Sequence, residues 1–321
     1  MKSIPNQRFK VSPKQSLIIK DKILSLDGEE DLNIKSATED WRIWFLDSTI
    51  TAYKTGTVYV TDSNDKSILE IHRFINSLVG SKFNHSSKDF LIGFDEAGKG
   101  EVLGHIVLAG VIVPNNLFDK VERDIGLADS KSKHSFLYWN GILKKIAYHK
   151  KKGLHYLVEK ITPWDADKYN LNKLMDVTYK KMLLLLSGKV DLSKSRIVFD
   201  DYGIGSELDG CLLELEKVGA EIIKKSKADD LYLESRVASL IAKQTQQGVL
   251  NAISNDSQFK IKGKSLGSGN AGDPKTIGWI KEWIQRGKPL PWFVKKSFKN
   301  IRELEGKGEV KKMYPKSSGL F

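Results

Sequence analysis

A single cysteine, Cys211, occurs in the 321-residue chain, which rules out an internal disulfide framework and agrees with a reducing cytosol. Beside Leu212–Leu215 it reads as a small core hydrophobe. The six histidines fall into no His/Cys spacing of zinc type. No uninterrupted apolar run approaches the ~20 residues that span a bilayer, and the opening MKSIPNQRFK lacks the apolar region of a secretory signal. Internal repeats and low-complexity segments are missing too. These absences point to a soluble, cytoplasmic protein with no membrane partner.

What is present is positive charge. The formal balance is +12, with a pI of about 9.4 and a mean hydropathy of -0.34. Residues 1–90 are nearly neutral, with 13 Lys/Arg against 12 Asp/Glu, whereas residues 260–321 hold 15 against 5. A basic excess gathered at one end suits a polyanion, nucleic acid before membrane. Lys260, Lys262, Lys264, Lys275, Lys281, Lys295, Lys296 and Lys299 are the expected phosphate contacts there. The length favours two domains.

Residues 1–80 form a small α+β module. Ser12-Pro13 starts a helix over Lys14–Leu24. Trp41–Val60 is strand-like, with a hairpin turning at Lys54-Thr55-Gly56, and Ile68–Leu78 has helical spacing. Residues 81–90 read as a linker. From 91 onward strands alternate with helices, the pattern of an α/β core of about 200 residues with C-terminal helices. Trp41, Trp44, Trp279, Trp283 and Trp292 are read as core.

The organising stretch is Leu91–Pro114, LIGFDEAGKGEVLGHIVLAGVIVP. Two apolar runs flank Asp95, Glu96, Gly98, Lys99, Gly100 and Glu101, so two core strands meet at a polar turn. Adjacent carboxylates at the end of a buried strand repel and lose hydration, a cost that a divalent cation offsets. Since strand side chains alternate, both acids reach one ion only if the chain bends at Glu96. Two more acid pairs, Asp200/Asp201 and Asp229/Asp230, end a strand and precede a helix. Helix capping is the alternative role for Asp229. An oxygen-only set suits two Mg²⁺ or Mn²⁺ ions about 3.5–4 Å apart, the arrangement for in-line attack on a phosphodiester.

These residues resemble the type 2 ribonucleases H, ribonucleases HII and HIII. Asp95-Glu96-Ala97-Gly98-Lys99-Gly100 is similar to the family's D-E-A-G-[RKT]-G signature, and Asp129-Ser130-Lys131 to its D-S-K motif. Ala228-Asp229-Asp230-Leu231-Tyr232 with Ala238–Lys243 resembles its A-D-x-x-Y…A-S-[IL]-[IL]-A-K block. Gly267-Ser268-Gly269, Asp273–Thr276 and Phe293–Phe298 resemble the C-terminal segment of archaeal and eukaryotic members. The resemblance implies a ribonuclease H-like α/β core, a mixed sheet flanked by helices, that cleaves the RNA strand of RNA/DNA hybrids. Two metal ions would be held by Asp95, Glu96, Asp200 and Asp229, leaving 3′-hydroxyl and 5′-phosphate ends. Asp200 is taken over Asp201 because the IVF strand precedes it. Gly98, Lys99 and Gly100 would meet the ribose 2′-hydroxyl and adjacent phosphate. Lys131, Ser239 and Lys243 would be further substrate contacts.

Ile50–Val60, with Tyr53 and Lys54 as substrate contacts, is similar to the N-terminal domain of ribonuclease HIII, itself like half of the TATA-box binding protein. Asn270 stands where members that recognise single ribonucleotides carry a tyrosine. Both features favour an HIII-type enzyme acting on longer hybrids, and a monomer is expected. The alternatives are an HII-type enzyme nicking at single ribonucleotides and a hybrid-binding protein without catalysis. The final SSGLF resembles a sliding-clamp peptide lacking the usual glutamine.

Overall fold

The computed structural model describes residues 4–33, 35–81, 83–125, 128, 131 and 134–306, with Ser77 by its backbone alone. The chain divides into two compact units, residues 1–82 and 83–321.

In the first unit, β1 (Gln7–Lys10), β2 (Glu29–Glu30), β3 (Glu39–Phe45), β4 (Ser48–Tyr53) and β5 (Thr57–Val60) form an antiparallel sheet. Its order is β1-β5-β4-β3-β2. Helices α1 (Pro13–Leu24) and α2 (Ile68–Val79) complete it. The start of α1 follows from local chemistry. Ser12 accepts from the Gln15 N–H, the Gln15 side chain accepts from the Ser12 N–H at 2.8 Å, and Pro13 occupies the first turn. Gly56 turns the hairpin at φ 73°.

Alternation then decides the faces. Ile43, Ile50, Ala52, Val58 and Val60 pack with Ile19 and Ile23 of α1 and Ile71 and Ile75 of α2. The other face carries the cross-strand row Arg8, Tyr59, Thr51 and Arg42. Trp44 shares this face and is 46% exposed, so it is not the core residue expected, whereas Trp41 is buried. Within this unit both helices lie on the opposite face.

The second unit is built on β6 (Phe90–Ala97), β7 (Ile106–Pro114), β8 (His155–Ile161), β9 (Ser195–Asp200) and β10 (Glu221–Lys225). The order is β10-β9-β6-β7-β8, with β6 central, parallel to β9 and antiparallel to β7. Its helices are α3 (Phe118–Ile125), α4 (Phe136–Lys150), α5 (Pro163–Lys168), α6 (Leu171–Ser187), α7 (Ser206–Lys217), α8 (Leu233–Asn255), α9 (Pro274–Gln285) and α10 (Lys299–Glu305).

Helices cover both faces of this sheet, which explains why its strands read as unbroken apolar runs. Leu91, Val107 and Val111 face the core shared with α4 and α8. Ile92, Phe94, Leu108 and Ile197 face the core shared with α6 and α7. Helix α8 crosses β6 at Gly93, where a Cβ would lie 2.2 Å from the Glu234 carbonyl carbon. Only glycine admits so close an approach. Trp279, Trp283 and Phe293 close a further core against Val102 and Leu250. Trp292, expected there, is 56% exposed.

Residues 83–90, expected to be linker, are instead fastened to this unit. Phe83 is buried, Asn84 donates its N–H to Leu231 O at 2.8 Å, and Arg196 donates to the Asn84 and His85 carbonyls. Arg196 is itself buried in an ion pair with Glu234 at 2.7 Å. No helix among the described residues is long and apolar enough to cross a membrane.

Candidate active site

Strand β9 ends at Asp200, and its pairing with β6 stops at Phe94 and Phe199. Strand β6 runs on, paired only with β7 through Ala97. The expected bend at Glu96 is absent; the strand stays regular, so Asp95 and Glu96 leave on opposite faces. They still share one cavity, of about 280 Å³, because the missing β9 partner leaves the corner of the sheet open. Asp200 and Asp229 line the same cavity, as does Gly98.

Asp95 is buried and takes a hydrogen bond from Ser239 on α8. Burial pushes its pKa well above the usual carboxylate range, and the negative charges of Glu96, Asp200 and Asp229 add to the rise. Glu96 turns toward α6, where the Tyr179 hydroxyl donates to it at 3.1 Å. Burial raises Glu96 to about 7, against the lowering effects of Lys99 and that hydrogen bond. Asp200 accepts from the Ala228 N–H at 3.0 Å, tying the end of β9 to the turn that carries Asp229. Asp201 is exposed and accepts from the Gly203 N–H, outside the cavity.

Asp229 does not cap α8. Tyr232 holds the N-cap position, and Asp229 sits in a short 3-10 turn over Ala228–Asp230. Its Oδ1 accepts from Lys131 at 3.1 Å. Its Oδ2 is buried with no hydrogen-bond donor among the described residues, 3.8 Å from an Arg236 nitrogen. Lys131, expected at a phosphate, is thus paired with Asp229 and, at 3.6 Å, with Asp230. Burial opposes its charge, but the Asp229 bond and the two carboxylates raise its pKa overall. Asp129 and Ser130 lie outside the described residues, as does the terminal SSGLF.

Ser239 is 5% exposed and serves Asp95, so its position is that of a support for the acid. Lys243 lines the cavity and donates to Glu101 at 3.1 Å. Gln246 donates to the same carboxylate. Gly98 has φ 89°, and a Cβ there would meet His105 O at 2.6 Å, so the turn after β6 requires glycine. Lys99 reaches Tyr202 O at 3.2 Å and covers the Tyr202 ring; Gly100 is exposed at the tip. Tyr53 and Lys54 belong to the other unit, where Lys54 donates to Ala37 O at 3.0 Å. Asn270 is exposed and bridges Glu101 across a short antiparallel contact.

Three residues escaped the sequence reading. Tyr179 is embedded in the apolar run of α6. Arg236 donates to Asp229 O, Ala128 O and Asp230, joining two loops of the site. Lys295, counted among surface phosphate contacts, is fully buried, whereas the other seven lysines of that group are exposed. No local pattern marks any of the three: Tyr179 and Lys295 act on residues far away in the chain, and Arg236 joins its near neighbours Asp229 and Asp230 to Ala128, 108 positions away.

The ribonuclease HII family model matches residues 92–301. The chain belongs to the ribonuclease HII family. Ribonuclease HII of Methanobrevibacter smithii is 31% identical over 224 residues, covering 67% of this chain and 98% of that protein. The structure of the PCNA:RNase HII complex from Archaeoglobus fulgidus matches at 28% identity with a TM-score of 0.52, over 68% of this chain and 98% of that one. Bst-RNase HIII in complex with Mn²⁺ matches at 18% identity and a TM-score of 0.54, over 94% of this chain and 98% of that one. That last likeness is one of fold. The protein is therefore a type 2 ribonuclease H with a ribonuclease H-like core, in a family whose activity depends on metal and acts on RNA/DNA hybrids.

The residues present fit a hard cation. Every candidate ligand is a carboxylate oxygen. The buried, donor-free Asp229 Oδ2 and the ammonium of Lys131 against Oδ1 mark where positive charge is wanted. Among the described residues no three of His, Cys, Asp and Glu already form a cage for one ion.

Proposed function

We propose that this protein hydrolyses the RNA strand of continuous RNA/DNA hybrids, as an HIII-type enzyme. The observation that carries the reading is the convergence of Asp95, Glu96, Asp200 and Asp229 on one open corner of the sheet. A pure hybrid binder gains nothing from buried carboxylates beside a phosphate, which they repel. In our reading these four acids hold two Mg²⁺ or Mn²⁺. Such ions, when bound, supply the positive charge that polarises the phosphodiester and lowers the pKa of water.

The protein's own residues then bind and orient. Ser239 and Tyr179 fix the rotamers of Asp95 and Glu96. The Gly98–Gly100 backbone meets the ribose 2′-hydroxyl, and Lys99, Lys131 and Lys243 stand beside the adjacent phosphates. The products carry 3′-hydroxyl and 5′-phosphate ends. The open sheet face of residues 1–82, with Arg8, Tyr59 and Trp44, is suited to hold the hybrid.

Preference for tracts rests on that unit and on Asn270, which offers no stacking ring beside Glu101. The relatives of the catalytic unit carry the name ribonuclease HII, which favours the second reading, an HII-type enzyme nicking at a single ribonucleotide in DNA. Two end-labelled duplexes with Mg²⁺ or Mn²⁺ separate the two: a continuous hybrid and a DNA duplex with one ribonucleotide. Cleavage of the hybrid alone is the expected result. Efficient nicking of the second duplex would transfer the assignment to the HII type, and binding without cleavage of either would remove the catalytic one.

A further inference from the structure

Lys295 lies between α9 and α10 with its side chain fully buried. Its ammonium donates to Gly98 O at 2.8 Å and to Glu101 O at 2.6 Å. Its own N–H donates to Val102 O at 2.9 Å. The ring of Phe298 lies 5.5 Å from the ammonium. The Glu101 carboxylate is engaged by Lys243 and Gln246 on α8. A buried ammonium facing carbonyls is expensive, and burial lowers this lysine to about 8 although Glu101 and Asp167 oppose the shift. An apolar side chain would fill the same space but leave the Glu101 carbonyl without this donor. The charge therefore has a use other than packing.

That use follows from peptide geometry. In a planar trans peptide the C=O and N–H point in opposite directions. Drawing the Gly98 carbonyl inward, onto the ammonium, turns the Lys99 N–H outward from it. Charge on the carbonyl side also polarises the peptide and strengthens that N–H as a donor. The turn is closed by the Glu101 N–H on Gly98 O at 3.2 Å, and Gly269 O takes the Val102 N–H at 2.8 Å. Gly98 itself lines the cavity of the four acids.

We infer that Lys295 is a positioning residue for substrate: it shapes and polarises the Gly98–Glu101 turn, so that reading of the ribose depends on the C-terminal segment. The inference rests on the proposed contact between this turn and the substrate. It differs from the surface role expected of a C-terminal lysine, and the two roles have different kinetic signatures.

The test compares wild type, Lys295→Met and Lys295→Gln on a continuous RNA/DNA hybrid with Mg²⁺. Thermal unfolding is recorded, as is the salt dependence of hybrid Kd without divalent cation. Misplacing a binding turn by about 1 Å costs roughly 100-fold, so kcat of Lys295→Met should fall by roughly 10- to 100-fold. KM and the salt slope should stay unchanged, and Lys295→Gln, which retains one amide donor group, should fall between. A raised KM with a salt slope smaller by about one and kcat intact would make Lys295 a phosphate contact and overturn the inference. A lowered Tm with unchanged kcat would reduce it to a packing residue. If Lys295→Met does not fold, kcat of Lys295→Gln decides, and a wild-type value overturns the inference. Wild type is the control for the activity itself. Should it cut only the duplex with one ribonucleotide, the tract reading fails and the same comparison is made on that duplex.

Discussion

The sheet of the N-terminal unit has helices on one face only, whereas the sheet of the catalytic unit is covered on both. In the first, alternation sends Ile50 and Val58 inward and leaves Tyr59, Arg42 and Trp44 outside. In the second, the inner strands β6, β7 and β9 are buried on both faces, and the acids of the site stand where a strand runs out. Asp95 and Glu96 sit at such a place, one and two residues beyond the last β6–β9 pair. One-sided burial produces a surface that can receive a large ligand. Two-sided burial produces a low-dielectric corner in which carboxylates demand a cation.

The comparison breaks most sharply at Asp95. Asp95→Asn keeps the shape of the corner and removes its charge, so hybrid cleavage should fall by roughly 10³-fold or more while hybrid binding remains. Loss of binding together with unfolding would argue that Asp95 is structural. Next in size is Gly93→Ala, which tests the closeness of the helix on the covered face. With backbone 2.2 Å from the new Cβ, the variant should lose about 3 kcal/mol in urea unfolding or fail to fold. An unchanged midpoint would mean that α8 can move away from β6 freely.

Removing residues 1–82 probes the open face as a whole. Hybrid Kd should rise by about tenfold or more, the loss of one of two linked binding modules. Equal affinity would take the substrate role away from that unit. The corner also predicts a pH effect. Glu96 binds its proton at about 7 in the folded protein against an ordinary 4.5, so the folded state holds the extra proton between those values. Stability then falls as pH rises through this window. In EDTA, Tm should drop from pH 4.5 to 7, less steeply in Glu96→Gln, and Mg²⁺ should restore it. A slope identical in the variant would assign the effect to other groups. The smallest effect belongs to Tyr59→Ala, which should weaken hybrid binding by about 1 kcal/mol or less with Tm nearly unchanged.

Much of the architecture was legible because it is written locally. The capping box at Ser12, the turn at Gly56 and the apolar runs around Asp95 depend on neighbours within a few positions. Asp229 shows where local reading fails. An acid just before a helix is ordinarily a cap, yet Tyr232 takes that position and leaves Asp229 Oδ2 without a donor. Trp44 and Trp292 show the same limit for residue type alone: tryptophan suggests core, yet alternation with Trp41 and Ile43 puts Trp44 on the open face, and Trp292 after Pro291 is exposed.

The order of motifs along the chain was enough to indicate the family and the residue types of its chemistry, because each motif is a short run with its own turn or helix signal. Only the tertiary structure decided which acids meet, that Asp200 faces the cavity and Asp201 does not, and that one lysine among eight is buried against the turn at Gly98. The reason is physical. Periodicity and capping are short-range, whereas burial of a charge is set by whatever the fold brings against it, here a carbonyl 197 residues away in the chain.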